Sequence, residues 1–347
     1  MSFSSLTGQQ ELRYLLDRAL VGDKLNHAIL LTGPSGSGKK SWGKALSQSI
    51  LCSNRNGSEP CMHCSSCRSF LNGNHPDYFI VEPDGRRIKI DQIRSIRESF
   101  YLHGSRKVCL IDYAEMMTAE ASSSLLKILE DPPAEMYFIL LAEQPRLLFD
   151  TILSRCQRFR LKPLSRAEII ELLGINKNIS AEKANLLARI TGGLPGYAYQ
   201  LAEDESFEGR FEEAKTLAYN LASGRDSAHQ LLSWAFSLSE REDLIHFLEL
   251  VCFFYRDGLV QNLCYMGEDS LSPQQASSWI ESVSPAGLEE AVMLINSTIY
   301  EMLTTNVNRR LILEKMLILL QRRLSQCPGL SEFVSDRPER PTTLNRL

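Results

Sequence analysis

Ala28-Ile-Leu-Leu-Thr-Gly-Pro-Ser-Gly-Ser-Gly-Lys39 decides the fold. A short apolar run of strand length ends in a loop carrying Gly33, Gly36 and Gly38, and the residues from Lys40 to Leu51 then follow a helical pattern. Strand, Gly-rich loop and helix in that order are the setting of a phosphate-binding P-loop. Its backbone N–H groups can cradle phosphates at a helix N-terminus, and Lys39 can reach them as a point charge.

Outward from this stretch the same alternation continues. Asp77-Tyr-Phe-Ile-Val-Glu82, Lys107-Val-Cys-Leu-Ile-Asp112 and Tyr137-Phe-Ile-Leu-Leu-Ala142 are further apolar runs of strand length. Helical patterns separate them, at Asp91–Tyr101 and Ala119–Glu130. Strands alternating with helices predict an α/β domain with a parallel sheet and helices on both faces. The β signal stops near Phe159. From Ser165 to Glu203 short helices are expected, broken at Gly174 and at Gly192-Gly-Leu-Pro-Gly196, with a capping box at Ser165 and Glu168 and a helix start at Ser180. From Ser206 to Leu324 the pattern is helical throughout, and the apolar run Leu311–Leu320 predicts a helix buried in a bundle or between subunits. The Pro-, Arg- and Thr-rich end beyond Ser331 reads as a loose tail.

The phosphate loop has two defects. The position after Lys39 needs a hydroxyl to ligate Mg²⁺, and it holds Lys40, an ammonium with donors only. Ser41 lies about 100° further round the helix and is a poor substitute. Val108-Cys-Leu-Ile-Asp112 has the shape of a Walker B strand, but the acid expected next is Tyr113, no base at neutral pH. Glu115 would stand roughly 6–7 Å too far along if the strand continued. Asp112 either helps to hold Mg²⁺ or simply ends the strand. Weak nucleotide binding without hydrolysis and no nucleotide binding both fit these residues. A structural turn with no ligand is the plainer alternative for the loop.

Nine cysteines are present, and Cys52, Cys61, Cys64 and Cys67 cluster between the P-loop helix and the next strand. Four thiolates close a tetrahedral Zn²⁺ site with no open position, which is a structural site. His63 lies inside the cluster but is not needed to complete it. Four reduced thiols and an Fe–S cluster are the competing readings.

Composition is that of a globular chain, 44% hydrophobic and 23% charged, with a net charge of −4. A protein gripping DNA alone is usually more basic, so any nucleic-acid contact is expected to be local or shared within a complex. Arg86, Arg87, Lys89, Arg94 and Arg97 could meet phosphates, or could form an ordinary solvated face. No segment has the run of about 18 apolar residues that spans a membrane. The opening Met1-Ser-Phe-Ser-Ser-Leu-Thr-Gly-Gln9 has no signal-peptide pattern, and a cytoplasmic location is expected.

Several blocks together resemble the subunits of bacterial DNA polymerase III clamp loaders, members of the AAA+ family. They are Leu6–Gly38 with Gly8-Gln9, Asn26-His27-Ala28 and Gly33-Pro34, then Ser124-Leu-Leu-Lys-Ile-Leu-Glu-Asp-Pro-Pro133, then Thr151-Ile-Leu-Ser-Arg-Cys-Gln-Arg-Phe159. Beyond residue 200 only length and helicity agree. The resemblance implies an AAA+ P-loop domain (1–160, with the cysteine module at 52–67), a helical lid (161–205), an all-α collar (206–330) and a flexible tail (331–347). It implies a degenerate nucleotide site at Gly33, Gly36, Gly38, Lys39 and Asp112, and Ser154-Arg155-Cys156 matches the motif that offers an arginine to a neighbour's ATP. By Lys40, Tyr113, the segment Gly192–Ala198 and the end at Leu347 the resemblance is to the family's non-hydrolysing branch rather than to the tau/gamma motors. That branch has no intrinsic activity of its own. It works in a hetero-pentamer with tau/gamma and delta subunits, helping to load the sliding clamp on primed DNA within a nucleotidyltransferase holoenzyme. An active tau/gamma-type ATPase is the alternative.

Overall fold

The computed structural model describes residues 3–22, 24–100, 106–175, 179–263, 283–305 and 307–325, with backbone alone at 97–100. The chain divides into two compact units, Met1–Asp204 and Glu205–Leu347. The expected tail at 331–347 lies outside the described residues.

The first unit runs α1 (Gln10–Val21), β1 (Ala28–Thr32), α2 (Lys39–Leu51), α3 (Ser65–Leu71), β2 (Tyr78–Val81), α4 (Ile90–Phe100), β3 (Lys107–Ile111), α5 (Ala119–Glu130), β4 (Met136–Ala142), α6 (Asp150–Leu153), β5 (Gln157–Arg160), α7 (Arg166–Gly174), α8 (Ala181–Ile190) and α9 (Pro195–Glu203). The strands form one sheet in the order β2-β3-β4-β1-β5. Every pairing is parallel, from Ala28 opposite Phe138 to Thr32 opposite Ala142 across the centre.

Side chains alternate across a strand, so a strand buried on both faces must be apolar at every position. In β1, Ile29 and Leu31 join Leu16 of α1 and Leu46 of α2 on one face. Ala28 and Leu30 join Ile93 of α4 and Leu125 of α5 on the other. The α/β layering expected from the sequence is therefore present. β5 is an addition to that reading: only Phe159 is buried in Gln157-Arg-Phe-Arg160, so this edge strand carries little apolar signal.

Helices α7 to α9 belong to the first unit, and the capping box at Ser165–Glu168 and the cap at Ser180 are both formed. The second unit contains α10 (Phe207–Ser223), α11 (Ala228–Ser239), α12 (Leu244–Leu263), α13 (Pro285–Thr304) and α14 (Arg309–Ser325). Its core gathers Leu217, Phe247, Phe254, Tyr255, Ile295 and Leu317. The apolar run in α14 is buried on one side only, because Leu311 and Ile318 face out at 62% and 47% exposure.

Candidate functional site

The carboxyl ends of four adjacent strands converge, the usual place for a ligand in an open parallel sheet. β1 leads into the phosphate loop, and Glu82, Asp112 and Glu143 follow directly on β2, β3 and β4. Gly36 and Gly38 hold φ values of +73° and +90°, which glycine alone adopts without strain. Gly38 caps α2.

The loop's charges are satisfied from within the chain. Lys39 Nζ donates to the Gly33 and Pro34 carbonyls, 2.9 Å each, and lies 3.5 Å from Glu143 Oε1. Lys40 Nζ pairs with Glu82 and stands 3.2 Å from Asp112 Oδ2. The hydrogen bond to Glu82, helped by Asp112 and opposed by desolvation, holds the Lys40 ammonium above its ordinary range. Asp112 is buried, and its other oxygen accepts from the Tyr113 N–H at 3.1 Å. Mg²⁺ does not fit this arrangement: it needs an octahedron of oxygen donors, and an ammonium occupies the space between the two carboxylates.

β3 does not run on toward Glu115. Tyr113 takes a left-handed backbone (φ +52°) and the chain turns into a short 3₁₀ segment, Ala114–Met116. Glu115 then accepts from the Glu143 and Gln144 N–H groups, at 2.7 and 3.1 Å, and fastens the end of β4. Asp112 closes β3 and also binds Lys40. Burial and the neighbouring carboxylates of Glu143 and Asp112 raise the Tyr113 phenol further, away from any role as a base. Glu82 and Glu143 were missed by sequence reasoning. Both are the first residue after an apolar strand, and that position was the available signal.

Opposite the loop, the Gly196 N–H donates to the Gly36 carbonyl at 2.8 Å. A side chain at Gly196 would meet the Gly36 Cα at 3.0 Å, so α9 sits directly on the loop. Beside this contact a cavity of about 240 Å³ is lined by Leu6, Ser41, Trp42, Leu172, Pro195 and Tyr199.

Cys52, Cys61, Cys64 and Cys67 come together with all four Sγ atoms within 4.8 Å of one another. Sulfurs about 2.3 Å from a common tetrahedral ion stand roughly 3.8 Å apart, so the donor set suits a structural metal. The Cys61, Cys64 and Cys67 N–H groups point at the sulfurs of Cys52, Cys61 and Cys64, at 3.3, 3.4 and 3.3 Å. Burial acts to raise the Cys64 thiol, but the Cys67 and Ser53 N–H groups and the thiols of Cys61 and Cys67 outweigh it and bring it to about 6. Burial and the other thiols push Cys67 up to about 12. His63 stands outside the donor set.

Arg155 follows α6 and is partly exposed. Its guanidinium donates to Glu130 Oε1 at 2.7 Å and to the Thr151 carbonyl at 3.0 Å. The pair joins two of the sequence blocks that carry the resemblance. Arg86 and Arg87 are exposed, while Lys89 pairs with Asp84 at 2.9 Å and Arg94 lies 3.9 Å from Asp91. The Arg97 side chain is outside the described residues.

A parallel sheet in the order β2-β3-β4-β1-β5, with a glycine-rich loop between strand β1 and helix α2, defines a P-loop α/β domain. A family model described as DNA polymerase III, delta subunit, matches residues 8–165. Subunit delta' of DNA polymerase III from Bacillus subtilis (strain 168) is 31% identical over 326 residues, covering 90% of this chain and 96% of that protein. Subunit delta' of Escherichia coli (strain K12) is 31% identical over 204 residues, covering 57% and 61%. Subunit tau of Bacillus subtilis is 28% identical over 340 residues, covering 88% of this chain and 59% of that protein. The chain belongs to the DNA polymerase III delta' family. Among the described residues no helix is long and apolar enough to cross a membrane.

Proposed function

We propose that this chain is a non-hydrolysing subunit of a cytoplasmic DNA polymerase III clamp loader, and that it lends Arg155 to the ATP site of an adjacent motor subunit while the complex places a sliding clamp on primed DNA. The observation that carries the reading is Lys40 seated on Asp112, with Tyr113 where an acid would activate water. Phosphoryl transfer depends on a metal and a positioned base, and both places are taken by residues unable to serve. In this reading Gly33, Gly36, Gly38 and Lys39 are an architectural remnant, α7–α9 act as a lid, and the second unit joins tau/gamma and delta subunits in a pentameric collar. Zinc held by Cys52, Cys61, Cys64 and Cys67 supplies folding free energy to a segment with little core of its own.

Arg155 suits the role chemically. A guanidinium is permanently charged and forked, matching a phosphoryl group's spread charge. Its partner Glu130 is 48% exposed, and such surface pairs contribute about 0–1 kcal/mol, so release toward a neighbour costs little. The test is Arg155→Ala in this chain alone, within a complex reconstituted with tau and delta subunits. Assembly should persist while DNA-stimulated ATPase and clamp loading fall. Collapse of assembly would assign Arg155 a structural role, and unchanged loading would remove it from the neighbour's site. Steady-state turnover by the isolated chain would instead favour an active tau-like motor.

A further inference from the structure

Helix α2 begins with an electrostatic conflict. Its first turn holds Lys39 and Lys40 and no acid, at the end where the helix dipole already concentrates positive charge. In a P-loop protein bound phosphate and metal-ligating acids resolve this. Here the carboxylates of Glu82, Asp112 and Glu143 surround the two ammonium groups instead. Asp112 is the critical member: its side chain is 9% exposed, and a buried carboxylate needs a cation partner or must be neutralised. Lys40, whose side chain is 46% exposed, approaches it and bridges the ends of β2 and β3 as a metal between two carboxylates would.

We propose that the Lys40 ammonium is a built-in counter-cation, standing where a P-loop protein holds Mg²⁺ and closing the site to divalent ions. The inference rests on reading the loop as a non-hydrolysing relic and supplies the physical reason for it. The site carries a fixed single positive charge between two carboxylates, where a metal-loaded P-loop holds a dissociable divalent one. The helix and the two strand ends are tied by a covalently tethered cation that cannot dissociate. Removing it would leave the Glu82 and Asp112 carboxylates without the cation between them, two oxygen-donor groups with excess negative charge.

The experiment uses the isolated full chain, with its cysteine site loaded, in buffer freed of divalent ions by resin so that the cysteine metal is not stripped. Mn²⁺ binding is followed by electron paramagnetic resonance and stability by thermal unfolding, for the wild type and for Lys40→Ser. The wild type should show no Mn²⁺ at this site and a midpoint indifferent to Mg²⁺. Lys40→Ser should melt lower without metal, recover on adding Mg²⁺, and bind Mn²⁺ at least about tenfold more tightly than the wild type. A second change, Asp112→Asn, should abolish that gain. Lys40→Met keeps the packing of the stem and should gain metal in the same way, which covers the case in which the serine variant fails to fold. Equal Mn²⁺ binding by wild type and variants, or indifference of both variants to metal, overturns the proposal. Mn²⁺ binding by a wild type that still turns over no ATP would sink this inference and leave the non-hydrolysing reading standing; turnover by the wild type would sink that reading directly.

Discussion

Replacing Gly193 with alanine should destabilise the first unit far more than replacing its neighbour Gly192. Both residues hold left-handed backbones, φ +82° and +58°. A Cβ there costs each about 1 kcal/mol through the backbone alone. At Gly192 nothing lies within 4 Å of the added carbon, so the cost stops there. At Gly193 the carbon would lie 2.2 Å from the Leu164 carbonyl oxygen and 3.0 Å from the Leu164 nitrogen. That nitrogen donates to the Gly193 carbonyl at 2.8 Å, so relieving the clash means opening the bond. Losing the hydrogen bond adds about 1 kcal/mol and the displaced backbone at least about 1 more, for a total near 3 kcal/mol. In a unit of this size each kcal/mol lowers the midpoint by about 2–4 °C, so Gly193→Ala should lose about 6–12 °C and Gly192→Ala about 2–4 °C. Thermal unfolding by circular dichroism, with the cysteine site loaded, measures both. Equal losses would refute the reasoning, because they would mean that the chain reverses past Leu164 without the close approach.

Cys64→Ser should lower metal content below one ion per chain and loosen the segment from Cys52 to Leu71; metal analysis and limited proteolysis check it, and full occupancy in the variant would count against a four-thiol site. Hydrogen bonding from Arg241, aided by Arg210 and opposed by desolvation, holds the Asp243 carboxyl below its ordinary range. A depressed folded value contributes stability above the unfolded value of about 3.9 and loses it as pH falls through the folded value, so Asp243→Asn should be less stable at neutral pH and show a flatter acid limb below about pH 4. Tyr255 is fully buried and its hydroxyl donates to the Ala218 carbonyl at 3.1 Å, so Tyr255→Phe should cost about 1 kcal/mol in urea unfolding of the second unit.

The layering of the first unit was readable because β1, β3 and β4 are apolar at successive positions, and only a strand covered on both faces needs that. The phosphate loop and the cysteine cluster were readable because their chemistry is set by local spacing. β5 was not, since an edge strand with one buried residue in four has no pattern to show. The partners of Lys39 and Lys40 were hidden for a different reason. Glu82 and Glu143 are 42 and 104 residues away from the lysines they meet, and only the sheet order brings those strand ends together. Arg155 reaches Glu130 rather than Asp150, the carboxylate nearer in sequence, because Asp150 opens α6 while the end of α5 lies beside Arg155.

The parallel register has a consequence for how the chain is made. β1 emerges early from the ribosome, but Ala28 pairs with Phe138 and Ile29 with Gln157, both more than a hundred residues later. At about 5–20 residues per second, β1 waits roughly five to twenty-five seconds with both edges bare. During that wait Ile29, Leu30 and Leu31 form a short apolar segment open to strand addition by any neighbouring chain. A truncation intended to isolate the phosphate loop must therefore extend past β5 to yield the complete sheet.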